Sequence, residues 1–392
     1  MTRILFCGPV TNVRELGASK VIVELAEEIE RLGWEVKTLS TADFLPKEAL
    51  ESPDVRYHDL AKDFHCQLRD YLKVHADEYD VIDYDHEYLP FDRAEFTRKT
   101  LFVARSVLLV HHLETIPIPG RAGLKPALGR LLKGRSRSQM QRQRIRRAQQ
   151  TVEQADLVNV SNEDDRTELV RRGIAPDKVL VIPYGINRVR RPAFDSISSA
   201  LPNEPVIAFV GTFDYRKGAR TFPDIVAGVI KEIPNARFKL LGVKGMFKTE
   251  EEILAHFPVH LRKHIDVVLR YKSEDLPQFL GECSVGMFPS YIEGMPFGIL
   301  EMMAASLPVV AYRCPGPPMM LTDDYMVERG NAAAMARKLV ELLNDRKRLA
   351  DARVWAKERS QAFSWQAAAE TTIEVYSKYL NKGPEVCAST LR

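Results

Sequence analysis

Val206-Ile207-Ala208-Phe209-Val210, closed by Gly211, is the stretch from which the architecture follows. It repeats the opening of the chain, Arg3-Ile4-Leu5-Phe6-Cys7 closed by Gly8. A short run that is apolar throughout suits a strand buried on both faces of a parallel sheet. Behind the first run, Ile22, Leu25, Ala26, Ile29 and Leu32 recur at helical spacing, and Gly33 stops the helix. Strands are then predicted over 35–39, 81–83, 101–104, 107–110, 157–160 and 179–182. Behind the second run they are predicted over 238–241, 265–269, 285–288 and 308–311, with helical segments between. Asn187 to Glu204 breaks the alternation with Pro192, Pro202 and Ser196-Ile197-Ser198-Ser199, and reads as a linker. The pattern predicts an α/β protein of two doubly wound units. In such units ligands sit beyond the carboxyl ends of the strands, so a cleft between the two is the expected place for a site. Trp365 to Lys382 forms one more amphipathic helix, and 384–392 is expected to fray.

The composition agrees. A chain of 392 residues is longer than one hydrophobic core usually serves. With 45% hydrophobic and 28% charged residues it is neither disordered nor collagen-like. No stretch approaches the roughly 20 apolar residues of a membrane span, and Ile4-Leu5-Phe6-Cys7 is too short for a signal peptide. Five scattered cysteines without a C-x-x-C pair read as reduced thiols, and so as a cytoplasmic protein. The net charge of +3 hides an asymmetry: 121–150 carries ten Lys and Arg and no Asp or Glu, leaving the remainder mildly acidic.

The densest chemical signal runs from Phe288 to Ala311, F-P-S-Y-I-E-G-M-P-F-G-I-L-E-M-M-A-A-S-L-P-V-V-A. A strand ends at Ser290, a Gly/Pro loop follows, and a helix begins near Pro296 or Phe297. Amides at that helix start, with Gly294 and Gly298 permitting close approach, suit a phosphate or diphosphate. Glu293 and Glu301 would repel phosphate, so their carboxylates are expected to accept hydroxyls of a sugar or ribose.

This segment resembles the Glu-x₇-Glu motif of retaining, metal-independent glycosyltransferases of group 1 (family 4), which have the GT-B fold. Phe209-Val210-Gly211 followed by Arg216-Lys217-Gly218 is similar to the family's phosphate-binding strand and loop. Asp156 to Ser161, Ile182 to Asn187 and Phe363-Ser364-Trp365 resemble its signatures before the linker and at the crossing back. The resemblance implies two Rossmann-like domains facing a cleft: 1–190 with the returning helix 366–392 on the acceptor side, and 191–365 binding the donor. It implies catalytic roles for His111, Lys217 and Glu293. Donor binding falls to Arg216, Lys217, Glu293, Gly294, Met295, Pro296, Phe297, Gly298 and Glu301, and Gly17 faces the acceptor. No cofactor and no metal are expected, because Lys217 and Arg216 neutralise the leaving diphosphate. Three positions depart from the family pattern: Thr212 replaces an arginine, Gly17-Ala18 replaces Gly-Gly, and Met319 stands where a glutamate is frequent.

The expected activity is transfer of a sugar from a nucleotide-diphosphate donor to a glycan, lipid-linked or small-molecule acceptor, with retention. Two alternatives share the fold: a sugar-nucleotide 2-epimerase and a non-catalytic sugar-nucleotide binding module. Asp83-Tyr84-Asp85 is also a D-x-D of the kind that binds Mn²⁺ or Mg²⁺ in the other main glycosyltransferase fold, although that fold leaves the second unit unexplained. The doublet His111-His112 follows an apolar run and is otherwise structural. The basic segment 121–147 has a solvated-helix reading and a membrane one. Leu124, Leu128, Leu131 and Leu132 recur among Lys125, Arg130, Lys133, Arg135 and Arg137, as in a helix lying on an anionic membrane surface. A protein peripheral to the inner face of a membrane follows from that reading. Nucleic acid is not an expected partner, since the segment lacks interleaved aromatics.

Overall fold

The computed structural model describes all residues outside 9–16, 45–63, 90, 98, 118–126 and 383–392, and does not describe the side chains of 17–19, 127–138 and 382. The chain divides into two units: Met1–Glu114, Leu132–Tyr184 and Trp365–Arg392 form the first, Thr115–Leu131 and Gly185–Ser364 the second.

The sheet of the first unit contains β1 (Arg3–Gly8), β2 (Glu35–Ser40), β3 (Val81–Asp85), β4 (Leu101–Arg105), β5 (Leu157–Val160) and β6 (Val179–Val181). All pairings are parallel, in the order β2-β1-β3-β4-β5-β6. Central β4 is buried at every residue, whereas the edge strand β2 alternates until its last turn inward. The order reverses between β1 and β3, the switch point where open α/β sheets take ligands. Phe64, Leu68 and Leu72 of the helix Phe64–His75 pack with Leu5, Ile82, Tyr84 and Phe102 in the core.

Polar side chains buried in this unit hold the returning helix. The Arg105 guanidinium meets Asp83 at 2.6 and 2.9 Å. Tyr376, from the helix Trp365–Lys382, accepts from Arg105 at 3.1 Å and donates to Asp83 at 2.7 Å. The Asn159 amide lies 3.0 Å from the same hydroxyl. Every charge there has a partner, which is the condition for burying it. Trp365 stacks on Tyr184 with ring centroids 5.1 Å apart.

The second sheet contains β7 (Val206–Val210), β8 (Arg237–Leu241), β9 (Ile265–Val268), β10 (Val285–Phe288), β11 (Val309–Tyr312) and β12 (Met326–Val327). It is again parallel throughout, ordered β12-β11-β10-β7-β8-β9, with its reversal between β7 and β10. Helices Phe222–Glu232 and Ala332–Asn344 pack so closely that a methyl group on Gly228 would stand 2.7 Å from the Ala336 side chain.

Three expectations are corrected. The run 107–110 is a turn, not a strand; Leu109 and Val110 are buried, and burial rather than sheet pairing explains their apolarity. Leu32 is 42% exposed because the first helix, Gly17–Arg31, has already ended and Gly33 takes a φ of +95°. The stretch from Asn187 to Glu204 is no loose linker. It begins with the helix Arg191–Asp195, buries Phe194, and has its Ser198 and Ser199 carbonyls bound by the buried Arg353 guanidinium. The expected frayed end, 384–392, lies outside the described residues. Among the described residues no helix is long and apolar enough to cross a membrane.

Candidate functional site

The β7/β10 switch point of the second unit gathers most of the residues singled out by sequence. The loop after β7 leaves through Gly211 at φ +143° and is shaped by Asp214. That carboxylate accepts from Thr212 Oγ1 at 2.8 Å and from the Lys217 amide at 2.9 Å. Gly218 follows at φ +92°, where a Cβ would lie 2.4 Å from the Pro289 carbonyl oxygen. Only glycine lets this loop close on the one after β10. The Tyr291 amide donates to the Arg216 carbonyl at 2.8 Å and joins the two loops.

This joining puts Lys217 Nζ 2.7 Å from Glu293 Oε1, with Arg216 Nη1 3.1 Å from the same oxygen. Arg216 also donates to the Ile292 carbonyl at 2.9 Å, and Lys217 Nζ stands 4.8 Å from the centre of the Phe288 ring. Burial pushes the Lys217 amine below its ordinary value; Glu293 opposes that shift and Arg216 adds to it. Glu293 is supported from behind by Gly316 (φ +101°), where a Cβ would be 2.6 Å from the Gly294 oxygen.

The helix Phe297–Ala304 starts as expected, after Pro296. Its first turn lies against the ends of β7 and β10, since a Cβ on Gly298 would be 2.4 Å from the Val210 oxygen. The Phe297 amide already donates to Met295 at 2.9 Å, which removes it from the donors the loop offers a phosphate. Glu301 is buried one turn on, 2.8 Å from Arg190 Nη1. Burial and the Glu301 charge push the Tyr271 phenol upward. The loop is thus an assembly of two buried carboxylates held against half-buried cations, with glycines at the points of closest backbone approach.

In the first unit, His111 follows the turn after β4 and is buried, with no hydrogen-bond partner for either ring nitrogen among the described residues. Burial, then the charges of His86 and Arg172, lower its imidazole to about 3, so it is neutral near pH 7. His112 does something else. Its Nε2 lies 2.8 Å from the buried Asp165 carboxylate and anchors the short helix His112–Thr115. The D-x-D reading fails on geometry, because Asp83 is taken by Arg105. Asp85, His86 and Glu87 offer ligand atoms within 4.8 Å of one another, yet both Glu87 oxygens are bound by Arg144. Gly17 begins the first helix, but the loop before it lies outside the described residues. Lys125 lies outside them as well. Arg130, Lys133, Arg135 and Arg137 belong to the helix Ala127–Gln154, but their side chains are not described.

Both halves of the chain match family models. "Glycosyltransferase Family 4" covers residues 17–190 and "Glycosyl transferases group 1" covers 204–345. The chain belongs to the group 1 glycosyltransferases. Among the relatives of this group 1 member is an uncharacterized glycosyltransferase of Methanocaldococcus jannaschii, 31% identical over 43% of this chain and 47% of its own. The D-inositol 3-phosphate glycosyltransferase of Corynebacterium kroppenstedtii is 28% identical over 62% of this chain and 57% of its own. The chain spans about half the length of the curated relatives it matches. Its fold is GT-B. Sucrose-phosphate synthase from Thermosynechococcus elongatus superposes with a TM-score of 0.74 at 19% identity, over 98% of this chain and 100% of that one. Anabaena HepE, solved with UDP-glucose, gives 0.67 at 15% identity over 96% and 100%.

Three residues of this family member escaped sequence reasoning. Asp214 had a readable signal, an acidic residue three before Lys217 at a turn. Arg190 had none, since its partner Glu301 is 111 residues away. Tyr271 lay in a segment without a motif.

Proposed function

We propose that the chain transfers a glycosyl group from a nucleoside diphosphate sugar to a hydroxyl acceptor, with retention and without a metal. One observation carries the reading: the Lys217 ammonium is held 2.7 Å from Glu293 at the β7/β10 switch point. A half-buried cation beside a carboxylate can serve a ligand that has both a diphosphate and hydroxyls. Donor binding would transfer Lys217 and Arg216 to the diphosphate and leave Glu293 to accept sugar hydroxyls. Glu301, oriented by Arg190, would take the ribose. As the bond between the anomeric carbon and the phosphate oxygen breaks, charge grows on the leaving diphosphate and the two cations stabilise it. The acceptor oxygen bonds to the anomeric carbon on the same face, and its proton passes to the departing phosphate oxygen. The neutral His111 imidazole can accept a hydrogen bond from a sugar hydroxyl.

HepE, crystallised with UDP-glucose, and the inositol phosphate glycosyltransferases support a nucleotide sugar as donor and a polyhydroxylated acceptor. The acceptor class extends to glycans and lipid-linked sugars. The basic helix Ala127–Gln154 is proposed to rest on an anionic bilayer. Cosedimentation with anionic liposomes that weakens with salt is expected, and Ser at Arg130, Lys133, Arg135 and Arg137 should abolish it.

The deciding experiment is a thermal-shift screen against UDP-, GDP- and ADP-sugars, followed by a transfer assay with D-inositol 3-phosphate and sugar acceptors. A preferred donor should raise Tm with concentration. No stabilisation by any sugar nucleotide would remove the reading.

A further inference from the structure

Thr212 occupies the position where the family pattern has an arginine, and its surroundings give it a different task. Its hydroxyl donates to Asp214 Oδ2 at 2.8 Å, while Asp214 Oδ1 accepts from the Lys217 amide at 2.9 Å. The Asp214 carbonyl accepts from the Ala219 amide at 3.0 Å, so one residue ties the loop on both sides of Lys217. Behind Thr212 stands the loop after β8. A Cβ on Gly245 would lie 3.0 Å from the Thr212 Cβ and 3.2 Å from its methyl carbon. Beside that contact, the Phe213 amide donates to the Val243 carbonyl at 2.9 Å. Thr212 thus packs against neighbouring backbone and turns its hydroxyl to Asp214. An arginine at this position would have no hydroxyl with which to hold that carboxylate.

We infer that Asp214, held in turn by the Thr212 hydroxyl, is a positioning residue that sets the Lys217 ammonium for the leaving diphosphate. The need for it follows from lysine itself, a point charge on a flexible stem, which is placed only as well as its backbone is. Displacement of the loop by an ångström would carry the ammonium away from the charge it is to stabilise. A second effect is electrostatic. The charged groups facing the Lys217 amine are Glu293, Arg216 and Asp214; the two carboxylates hold its proton on, against burial and Arg216. In the proposed reaction Glu293 turns to the donor sugar. Asp214 does not, because both of its oxygens already bind the loop. It is the carboxylate whose influence on Lys217 stays the same with and without donor.

The inference rests on the glycosyl-transfer reading, and its test separates the two. The full chain would be compared with Thr212→Val, Asp214→Asn and Asp214→Ala. Turnover of UDP-, GDP- and ADP-glucose would be read as release of the nucleoside diphosphate. Asp214→Ala should lower kcat about 10²-fold. Asp214→Asn keeps an acceptor for the Lys217 amide and should stay within about tenfold of the parent. Thr212→Val, of the same shape, should lose about threefold. A further readout needs no substrate: the titration of Lys217 in ¹³C-lysine-labelled protein, assigned by its loss in Lys217→Met. Asp214→Asn should lower that midpoint and move the basic limb of kcat/KM to lower pH, whereas Thr212→Val, which leaves the Asp214 charge in place, should do neither. If all three variants lose only urea stability, with kcat and the Lys217 midpoint unchanged, the inference is overturned and the transfer reading stands. Should Asp214→Ala not fold, the other two variants decide by the same readouts. If no nucleotide glucose binds the parent, both fall together.

Discussion

The two switch points solve the problem of buried polarity in opposite ways. In the second unit, Glu293, Lys217 and Arg216 neutralise one another, and Glu301 is paired with Arg190. In the first, both ring nitrogens of His111 and the Ser106 hydroxyl are buried without a hydrogen-bond partner among the described residues, and His86 has only Asp85 at 3.5 Å. A self-neutralised site tolerates being empty but must exchange partners when a charged ligand arrives. Buried polar groups without partners carry a desolvation cost that paired charges avoid.

The largest effect is expected away from both sites. Asp83→Asn removes the charge opposing buried Arg105 and should cost about 3–5 kcal/mol of folding free energy. A urea midpoint lowered to match, with little change in the relative affinities for donors, would mark this ion pair as structural. Next comes Lys217→Ala. Loss of one electrostatic stabiliser of the leaving group should lower turnover about 10²–10³-fold. Stability should fall much less, because Arg216 still faces Glu293. If the Lys217 variant instead resembled Asp83→Asn, unfolding without a specific loss of turnover, the distinction between ligand-ready and structural ion pairs would collapse.

Much of this was legible in the chain. Val206 to Gly211 and Arg3 to Gly8 announced two parallel sheets because strands buried on both faces read as short, nearly continuous apolar runs. Glu293, Lys217 and the glycines were legible through the Glu-x₇-Glu and Arg-Lys-Gly patterns, which resemble those of the family. What stayed hidden depends on partners distant in sequence. The run 107–110 looks like a strand because an apolar turn beneath a sheet and a strand within it bury the same residues. Ser198 and Ser199 look like linker because Arg353, which binds their carbonyls, lies about 150 residues on. That both ring nitrogens of His111 lack a hydrogen-bond partner among the described residues is a property of the packed unit alone.

Acid should separate the two histidines. His111 has a folded value of about 3 against an ordinary 6.5, so the unfolded chain takes up a proton that the folded chain refuses. Its contribution to stability is present above about 6.5 and is lost as pH falls, with about 2 kcal/mol gone at pH 5. The groups acting on it are His86, Arg172, Glu168 and His112. His86 has the opposite sign. Its raised value means a contribution present below its ordinary value and lost as pH rises through the folded one. Urea midpoints at pH 5 and 7.5 should therefore show His111→Gln less acid-sensitive than the parent, and His86→Gln more so. Equal slopes in the two variants would mean that the rings share one environment.

The smallest effect sharpens the comparison most finely. The Arg144 side chain is 46% exposed, so Arg144→Ala should cost less than about 1 kcal/mol despite its two bonds to Glu87. Yet it is the cation that keeps Glu87 from acting fully on His86, and it lowers the proton affinity of that ring. Its loss should raise the titration midpoint of His86, read from the ring carbon shifts, and leave that of Lys217 unmoved. It also releases Glu87 to join Asp85 and His86. If the parent ignores Mn²⁺ and the variant binds it, then Arg144 is what keeps Asp85, His86 and Glu87 from acting together as a metal site.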